Sequence, residues 1–287
     1  MNQYRIRLSH SITNFLFNRF RFPGSKKIGR AISKILLPKF KPYNHYPTIY
    51  GFDLFLSPGE GEEIFRLGFY EPGTLAFMKK VLEPGDTFLD VGASIGLMSF
   101  YASKIIGNSG RVLTFEPVSK TFTHLTKSIK LNHSKNITPL QFALGNENTS
   151  LPINLDSACP SLATVKSNST TETVQVRILD EVLSEQKISK VKLMKIDVEG
   201  FEAEVLSGAK KLLSDKNAPM LCIEFAPALI QSSNKFEAFE IIKSCNTYRF
   251  FQLKNSKDSI SPLIEISDFG KFRADDNVFC IPENHLN

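Results

Sequence analysis

The stretch "TFLDVGASIGLMSF", residues 87–100, limits the choice of fold more than any other part of the chain. An apolar run ends in Asp90, breaks into Gly92-Ala93-Ser94-Ile95-Gly96, and resumes as apolar residues at helical spacing. A strand, a glycine turn and a helix in that order open a βα unit, and the same alternation continues downstream. Strands are expected near 86–91, 111–116, 137–142, 191–197 and 218–225, with helices near 95–106, 119–132, 201–213 and 234–245. "TYRFFQL" (247–253) and "NVFCIP" (277–282) read as two closing strands. Alternating βα units predict an α/β, doubly wound, largely parallel sheet.

The glycine turn also points to a ligand. A helix start offers backbone N–H groups, and glycine lets a ligand approach the main chain closely. The spacing Gly92-x-x-x-Gly96 matches neither the GxGxxG of a dinucleotide site nor a P-loop, since no Gly-Lys-Ser/Thr follows. In "VLTFEP" an acid, Glu116, ends the next strand, where a carboxylate can accept both hydroxyls of a ribose. An adenosine-bearing ligand with no phosphate to cradle fits this pattern, and S-adenosylmethionine is such a ligand. Asp90 would hold its ammonium, Gly92, Ala93, Ser94 and Gly96 would line its methionine part, and Glu116 would take its ribose.

The basic residues are unevenly placed. Residues 1–45 hold ten of the 35 Lys and Arg and none of the 29 Asp and Glu, so a basic N-terminal arm precedes a mildly acidic body. Two helical stripes lie in this arm: Leu8, Ile12, Phe15, Leu16 and Phe20, then Ile28, Ala31, Ile32, Ile35 and Leu36, with Pro38 ending the pattern. They suit either cap helices folded on the body or an interfacial anchor on an anionic membrane. Residues 46–85 read as a hairpin around Gly51 followed by two helices, and residues 86–287 as the catalytic domain. An insertion over 143–190 carries the polar run "SACPSLATVKSNSTTE". No apolar run reaches the roughly 20 residues of a membrane-spanning helix. Cys159, Cys222, Cys245 and Cys280 have no metal-ligand spacing, which favours a reducing, cytoplasmic setting, with the arm peripheral on the inner face of the membrane.

The segments "PGDTFLDVGASIGLMSFYA", "VLTFEPVSKTFTHLTKSIKLN", "VQVRILDEVL", "VKLMKIDVEGFEAEVLSGAKKLL", "MLCIEF" and "DNVFCIP" follow one another as in FkbM-type methyltransferases. The resemblance spans roughly residues 60–282, and "KIDVEGFEAEVLSGA" is its most specific part. It implies a seven-stranded, Rossmann-like methyltransferase fold, S-adenosylmethionine as donor, and methylation of a hydroxyl on a saccharide, glycolipid or related natural product. Asp90, Gly92, Gly96 and Glu116 match the donor site, and Asp197, Glu199 and Gly200 match a second signature. Ser94 departs from the Asn common in the family. The segment Phe142 to Gly145, expected near the adenine, has no acid.

Methyl transfer to a sugar hydroxyl needs alignment and removal of a proton, by a general base or a metal ion that acidifies the hydroxyl. Asp197 and Glu199 follow the fourth strand and Glu224 ends the fifth, at the carboxyl edge where open α/β sheets bind ligands. Asp197 is the leading base candidate, with Glu199 and Glu224 as helpers or as ligands of a divalent cation. Lys195, two residues before Asp197, is expected to pair with it. His45, His124 and His133 are weaker candidates. The expected partner is a small-molecule or glycan- or lipid-linked acceptor. No nucleic-acid partner is expected, because "DVEG" stands where adenine methyltransferases carry a DPPY-like end, and nothing in the arm interleaves aromatics as an RNA-stacking surface would. Two other classes share this topology: a nicotinamide-dependent oxidoreductase, which the missing GxGxxG disfavours, and a non-catalytic donor-binding scaffold.

Overall fold

The structure is a computed structural model that describes residues 3–15, 25–154 and 171–286. Two arm helices, α1 (Gln3–Asn14) and α2 (Ser25–Leu36), lead to a hairpin of β1 (His45–Pro47) and β2 (Asp53–Phe55). Helices α3 (Glu60–Leu67) and α4 (Pro72–Val81) follow. The alternating part comprises β3 (Thr87–Val91), α5 (Leu97–Ile106), β4 (Arg111–Phe115), α6 (Ser119–Leu131) and β5 (Ile137–Leu140). The insertion forms β6 (Ala143–Gly145), β7 (Thr149–Asn154) and β8 (Thr171–Ile178), a three-stranded sheet of its own, and then α7 (Leu179–Glu185). The chain returns through β9 (Leu193–Ile196), α8 (Glu202–Ser207), α9 (Lys210–Leu213), β10 (Met220–Phe225) and α10 (Glu237–Cys245). It closes with β11 (Tyr248–Leu253), β12 (Leu263–Glu265) and β13 (Asp276–Pro282).

The main sheet has the order β12-β11-β13-β10-β9-β3-β4-β5. Strands β5, β4, β3, β9 and β10 run parallel, and β13, β11 and β12 add antiparallel pairs. Seven strands were expected; the eighth is the three-residue β12, which pairs with the far edge of β11. Pro139 sits in β5 at the opposite edge. Alternate residues of each central strand enter two different cores: Phe88, Val112, Leu193 and Cys222 on one face, Leu89, Leu113, Met194 and Leu221 on the other. Near-continuous apolar runs are the pattern of strands covered on both faces. The chain reverses direction across the sheet between β3 and β9, which opens a crevice at their carboxyl ends.

The arm differs from its sequence pattern. Helix α1 buries Ile6, Ser9, His10 and Thr13 against the body, not the expected stripe. His10 Nε2 donates to the Phe65 carbonyl (2.8 Å) and Thr13 Oγ1 to the Leu67 carbonyl (3.2 Å). The chain at Gly68 comes so close to His10 that an added β-carbon would lie 2.6 Å from its ring, so this contact suits small or hydrogen-bonding side chains. Leu8 and Phe15 of the apolar stripe stay 43% and 51% exposed, and Ile35 of α2 is 78% exposed. The arm therefore caps the body with one face and keeps an apolar second face on the outside. Leu16 and Phe20 lie outside the described residues.

A single helix over 201–213 was expected; the structure breaks it at Gly208. Gly208 packs against the Gly145 carbonyl, which a β-carbon there would meet at 2.0 Å, and its own carbonyl accepts from Asp180 N (3.0 Å). The restarted helix α9 is capped by the Asp180 carboxylate, which accepts from Lys211 N (2.8 Å) and Leu212 N (3.0 Å). Replacing Asp180 by Ala leaves these amides without that partner and is expected to lower unfolding free energy by about 1 kcal/mol. Denaturant unfolding should show a lower midpoint at unchanged slope; an unmoved midpoint would remove the capping role.

Candidate active site

The donor turn is built by cross-strand hydrogen bonds at the end of β3 and β4. Gly92 N and Ala93 N both donate to the Phe115 carbonyl, at 3.0 and 2.9 Å. Glu116, buried at the end of β4, accepts from Ser94 N through Oε2 (2.9 Å) and from Val118 N through Oε1 (2.9 Å). Gly92 has φ 81°, and a β-carbon on it would stand 1.9 Å from the Asp197 carbonyl oxygen, so no other residue fits. Ser94 adopts φ 49°, the left-handed region that Asn tolerates better than Ser, which is a backbone reason for Asn at this position. Asp90 is buried and its carboxylate accepts from Ser99 Oγ at 2.5 Å. Burial above all pushes its carboxyl up to about 6, against the Ser99 bond and the charge of Lys195.

One strand over lie the carboxylates. Asp197 N donates to the Val91 carbonyl (3.0 Å), so the residue after β9 continues the register beside Gly92. Ile223 pairs with Ile196, and Glu224 with Asn277, which sets Gly92, Asp197, Glu224 and Asn277 in a row across the carboxyl edge. The buried Lys195 donates to Asp197 Oδ2 at 2.7 Å, the pairing expected from their spacing. A carboxyl–carboxylate hydrogen bond joins Asp197 to Glu224. Burial pushes Asp197 up, but Lys195 and the bonds from Glu224 and Lys195 outweigh it and hold the group below the usual range. Burial first, then the Asp197 charge and hydrogen bond, push Glu224 well up. The two neighbouring acids are thus pushed in opposite directions, Asp197 down and Glu224 up.

Three members of this cluster, Glu71, Asn277 and Lys257, had no sequence signal. Glu71, 1% exposed, precedes Pro72 with φ 43°, a strained left-handed conformation of the kind found at functional sites. Asn277 Nδ2 donates to its Oε2 (2.8 Å) and to Thr74 Oγ1 (2.7 Å). Lys257, from the β11–β12 loop, lies 3.2 Å from Glu71 Oε1 and donates to Glu224 Oε1. Carboxylate oxygens of Glu71, Asp197 and Glu224 lie within 4.8 Å of one another, a set able to hold a cation through oxygen. Glu199 is not in that trio; it is half-buried in the Asp197–Gly200 turn with φ 55°. Glu202, also without a sequence signal of its own, closes this turn by accepting from Gly200 N (3.1 Å) and Val198 N (3.3 Å).

The histidines stand apart from this row. His124 stacks on Tyr43 at 4.9 Å, His45 lies 3.4 Å from Asp53 in the hairpin, and His133 is exposed after α6. The insertion sheet reaches the donor side. Val118 packs with Ala143, Ile153, Val174 and Val176, and Glu172 accepts from Ser119 N at 3.1 Å. Phe142 stacks edge-on against Phe115 beside it, at 5.8 Å. Of the polar run at 157–172, all but Thr171 and Glu172 lie outside the described residues, Cys159 among them.

A family model described as the methyltransferase FkbM domain matches residues 90–250. Methyltransferase 1 of Beauveria bassiana is 28% identical over 148 residues, covering 44% of this chain and 59% of that protein. The hexuronic acid methyltransferase AglP of Haloferax volcanii is 26% identical over 158 residues, covering 54% of this chain and 64% of that protein. The chain thus spans about three fifths of the length of these curated relatives. Among solved structures, a methyltransferase FkbM from Methylobacillus flagellatus superposes with a TM-score of 0.46 at 17% identity, over 76% of this chain and 52% of that one.

Glu202 ties the turn to pH. Burial chiefly, then the Asp197 charge, push its carboxyl from 4.5 to about 7 against bonds from backbone amides. Because the folded state keeps this proton longer than the unfolded chain, its contribution to stability is full below pH 4.5 and is lost as pH rises through about 7. Glu202→Gln keeps an acceptor without the charge. It is expected to flatten the fall of stability across this window by about 1–3 kcal/mol. Thermal unfolding at several pH values measures it; an unchanged slope in the variant would exclude Glu202 as the titrating group.

Proposed function

Since the chain belongs to the FkbM methyltransferase family, we propose that it transfers a methyl group from S-adenosylmethionine to a hydroxyl of a saccharide, glycolipid or related natural product. The observation that carries this reading is the row Gly92, Asp197, Glu224: a bare turn fit for a nucleoside donor stands one strand from a pair of carboxyls whose oxygens lie within 4.8 Å of each other. Gly92, Ala93, Ser94 and Gly96, with Glu116 toward the ribose, are the residues that would hold the donor. Glu116 suits it because backbone amides of Ser94 and Val118 fix its carboxylate at the end of the strand beside the turn. When bound, the donor supplies a sulfonium-activated methyl group.

The chain's own residues align the acceptor and remove its proton. A general base works best with a pKa near the working pH. Asp197, held low by Lys195, is a weak base and serves to orient the pair. Glu224, pushed up by burial and by Asp197, is the better match: in its ionised form, after its own proton has left to solvent, it takes the hydroxyl proton, so in this proposal Glu224 is the base and Asp197 its partner. Asn277 and Glu71, buried beside the same edge and bonded to each other, form the floor of the carboxyl cluster. The hexuronic acid substrate named for the Haloferax volcanii relative supports a sugar hydroxyl as acceptor. Glu224→Gln is expected to lower kcat by about 10²–10⁴-fold while donor affinity stays within a few-fold. Turnover on a panel of glycan and glycolipid acceptors, with calorimetry of donor binding, tests this. Undiminished turnover in the variant removes Glu224 from the role; donor binding without transfer to any acceptor removes the enzyme reading.

The outer face of the arm supports a membrane-associated acceptor. Leu8, Phe15, Ile28 and Ile35 are exposed on helices that carry Arg5, Arg7 and Lys34, in a segment with no acid. No described helix is long and apolar enough to cross a membrane, so the reading is interfacial docking on anionic lipid at the inner, cytoplasmic face. Flotation with vesicles of anionic lipid is expected to carry the protein, and zwitterionic vesicles or high salt to leave it behind. A Phe15→Ser, Ile35→Ser double variant should float several-fold less; equal flotation of variant and parent would overturn the docking face.

A further inference from the structure

The cluster that suits a divalent cation already contains one positive charge that the chain itself brings. Lys257 Nζ stands 3.2 Å from Glu71 Oε1 and donates to Glu224 Oε1. The loop that carries it is clipped at several points. Lys257 N donates to Asp276 Oδ1 (2.8 Å), and Gly73 N at the start of α4 donates to the Lys257 carbonyl (2.8 Å). A β-carbon on Gly73 would lie 2.8 Å from the Lys257 and Ser259 carbonyls, so loop and helix meet with no room to spare. Asp276 is itself held by Arg273 at 2.7 Å. A lysine on a surface loop needs none of this; one aimed into three carboxylates does.

We propose that Lys257 is a positioning residue: its ammonium is the built-in counter-cation of the Glu71–Asp197–Glu224 cluster, orienting Glu224 and taking the place of a metal ion. The proposal deepens the functional reading above and rests on it for the role of Glu224 toward the acceptor. Charge balance follows from the groups present. Three carboxyls face two ammonium groups, so Lys195 and Lys257 offset most of the negative charge gathered there. A divalent ion added to this set would meet two fixed cations and be repelled.

The groups facing Glu224 decide how it titrates. Asp197 on the β9 side raises it, while Lys257 from the loop and Lys195 from β9 lower it. Glu71 lies across from α4. Cys222 on β10 is kept protonated by burial, and Asn277 on β13 is neutral. Removing Lys257 therefore moves the ionisation of Glu224 to higher pH and opens the cluster to a cation.

The test uses the full chain with carbon-13 in its glutamate carboxyls, the Glu224 resonance being assigned with Glu224→Gln. Lys257→Met is expected to raise the Glu224 midpoint by at least one pH unit, a tenfold change in proton affinity. It is also expected to create a Mn²⁺ site, seen by water-proton relaxation, that the parent protein lacks. Lys257→Arg should keep the parent midpoint and bind no Mn²⁺. Lys257→Gln carries the same measurements should the Met variant not fold. An unmoved midpoint, or stoichiometric Mn²⁺ binding by the parent that Glu71→Gln abolishes, overturns the proposal. Neither readout uses a methyl acceptor, so failure to find transfer activity would strike the functional reading and leave this result separately legible.

Discussion

Everything in the candidate site depends on one close approach: the Cα of Gly92 lies against the carbonyl of Asp197 with no space for a β-carbon between them. Two strands next to each other in space and far apart in sequence are joined there at the point where both leave the sheet. The amide of Asp197 answers by donating to Val91. This fixes the distance between the turn that would carry a donor and the carboxyl pair that would deprotonate an acceptor. Proximity is the main resource of an in-line displacement, so a backbone contact sets the chemistry more than any side chain does.

The second constraint is electrostatic. Gathering Asp90, Glu71 and Glu202, all buried, with the half-buried Asp197 and Glu224 would be costly without partners. The chain meets this with Lys195 and Lys257, with Ser99 on Asp90, and with backbone amides on Glu202. Each partner pulls its acid in a different direction. Asp197 and Glu224, similar in the sequence, end with opposite proton affinities for that reason. Division of labour between neighbouring acids is a common device in sites that move protons.

Features carried by short-range pattern could be read without the structure. The strand–turn–helix at residues 87–100, the acid at Glu116 and the i, i+2 pairing of Lys195 with Asp197 belong to this class. Features set by long-range packing could not. Asn277 meets Glu71 across 206 residues, and Lys257 arrives on a loop with no periodicity. The strained backbone at Glu71, just before a proline, was the one local hint. The break at Gly208 and the reversed face of α1 share a cause: close backbone contact overrode the hydrophobic pattern. Helix α1 turns Ser9, His10 and Thr13 inward because neighbouring carbonyls were there to be bonded, and its leucine and phenylalanine were left over.

The two margins of the main sheet have a consequence for how this protein behaves at high concentration. Pro139 deprives β5 of an amide on one border, and β12 ends the other after only three residues. An open sheet with eight strands would otherwise be a template for strand-by-strand growth between molecules. With one border short of a donor and the other brief, both margins are blunted against addition of a strand from another molecule.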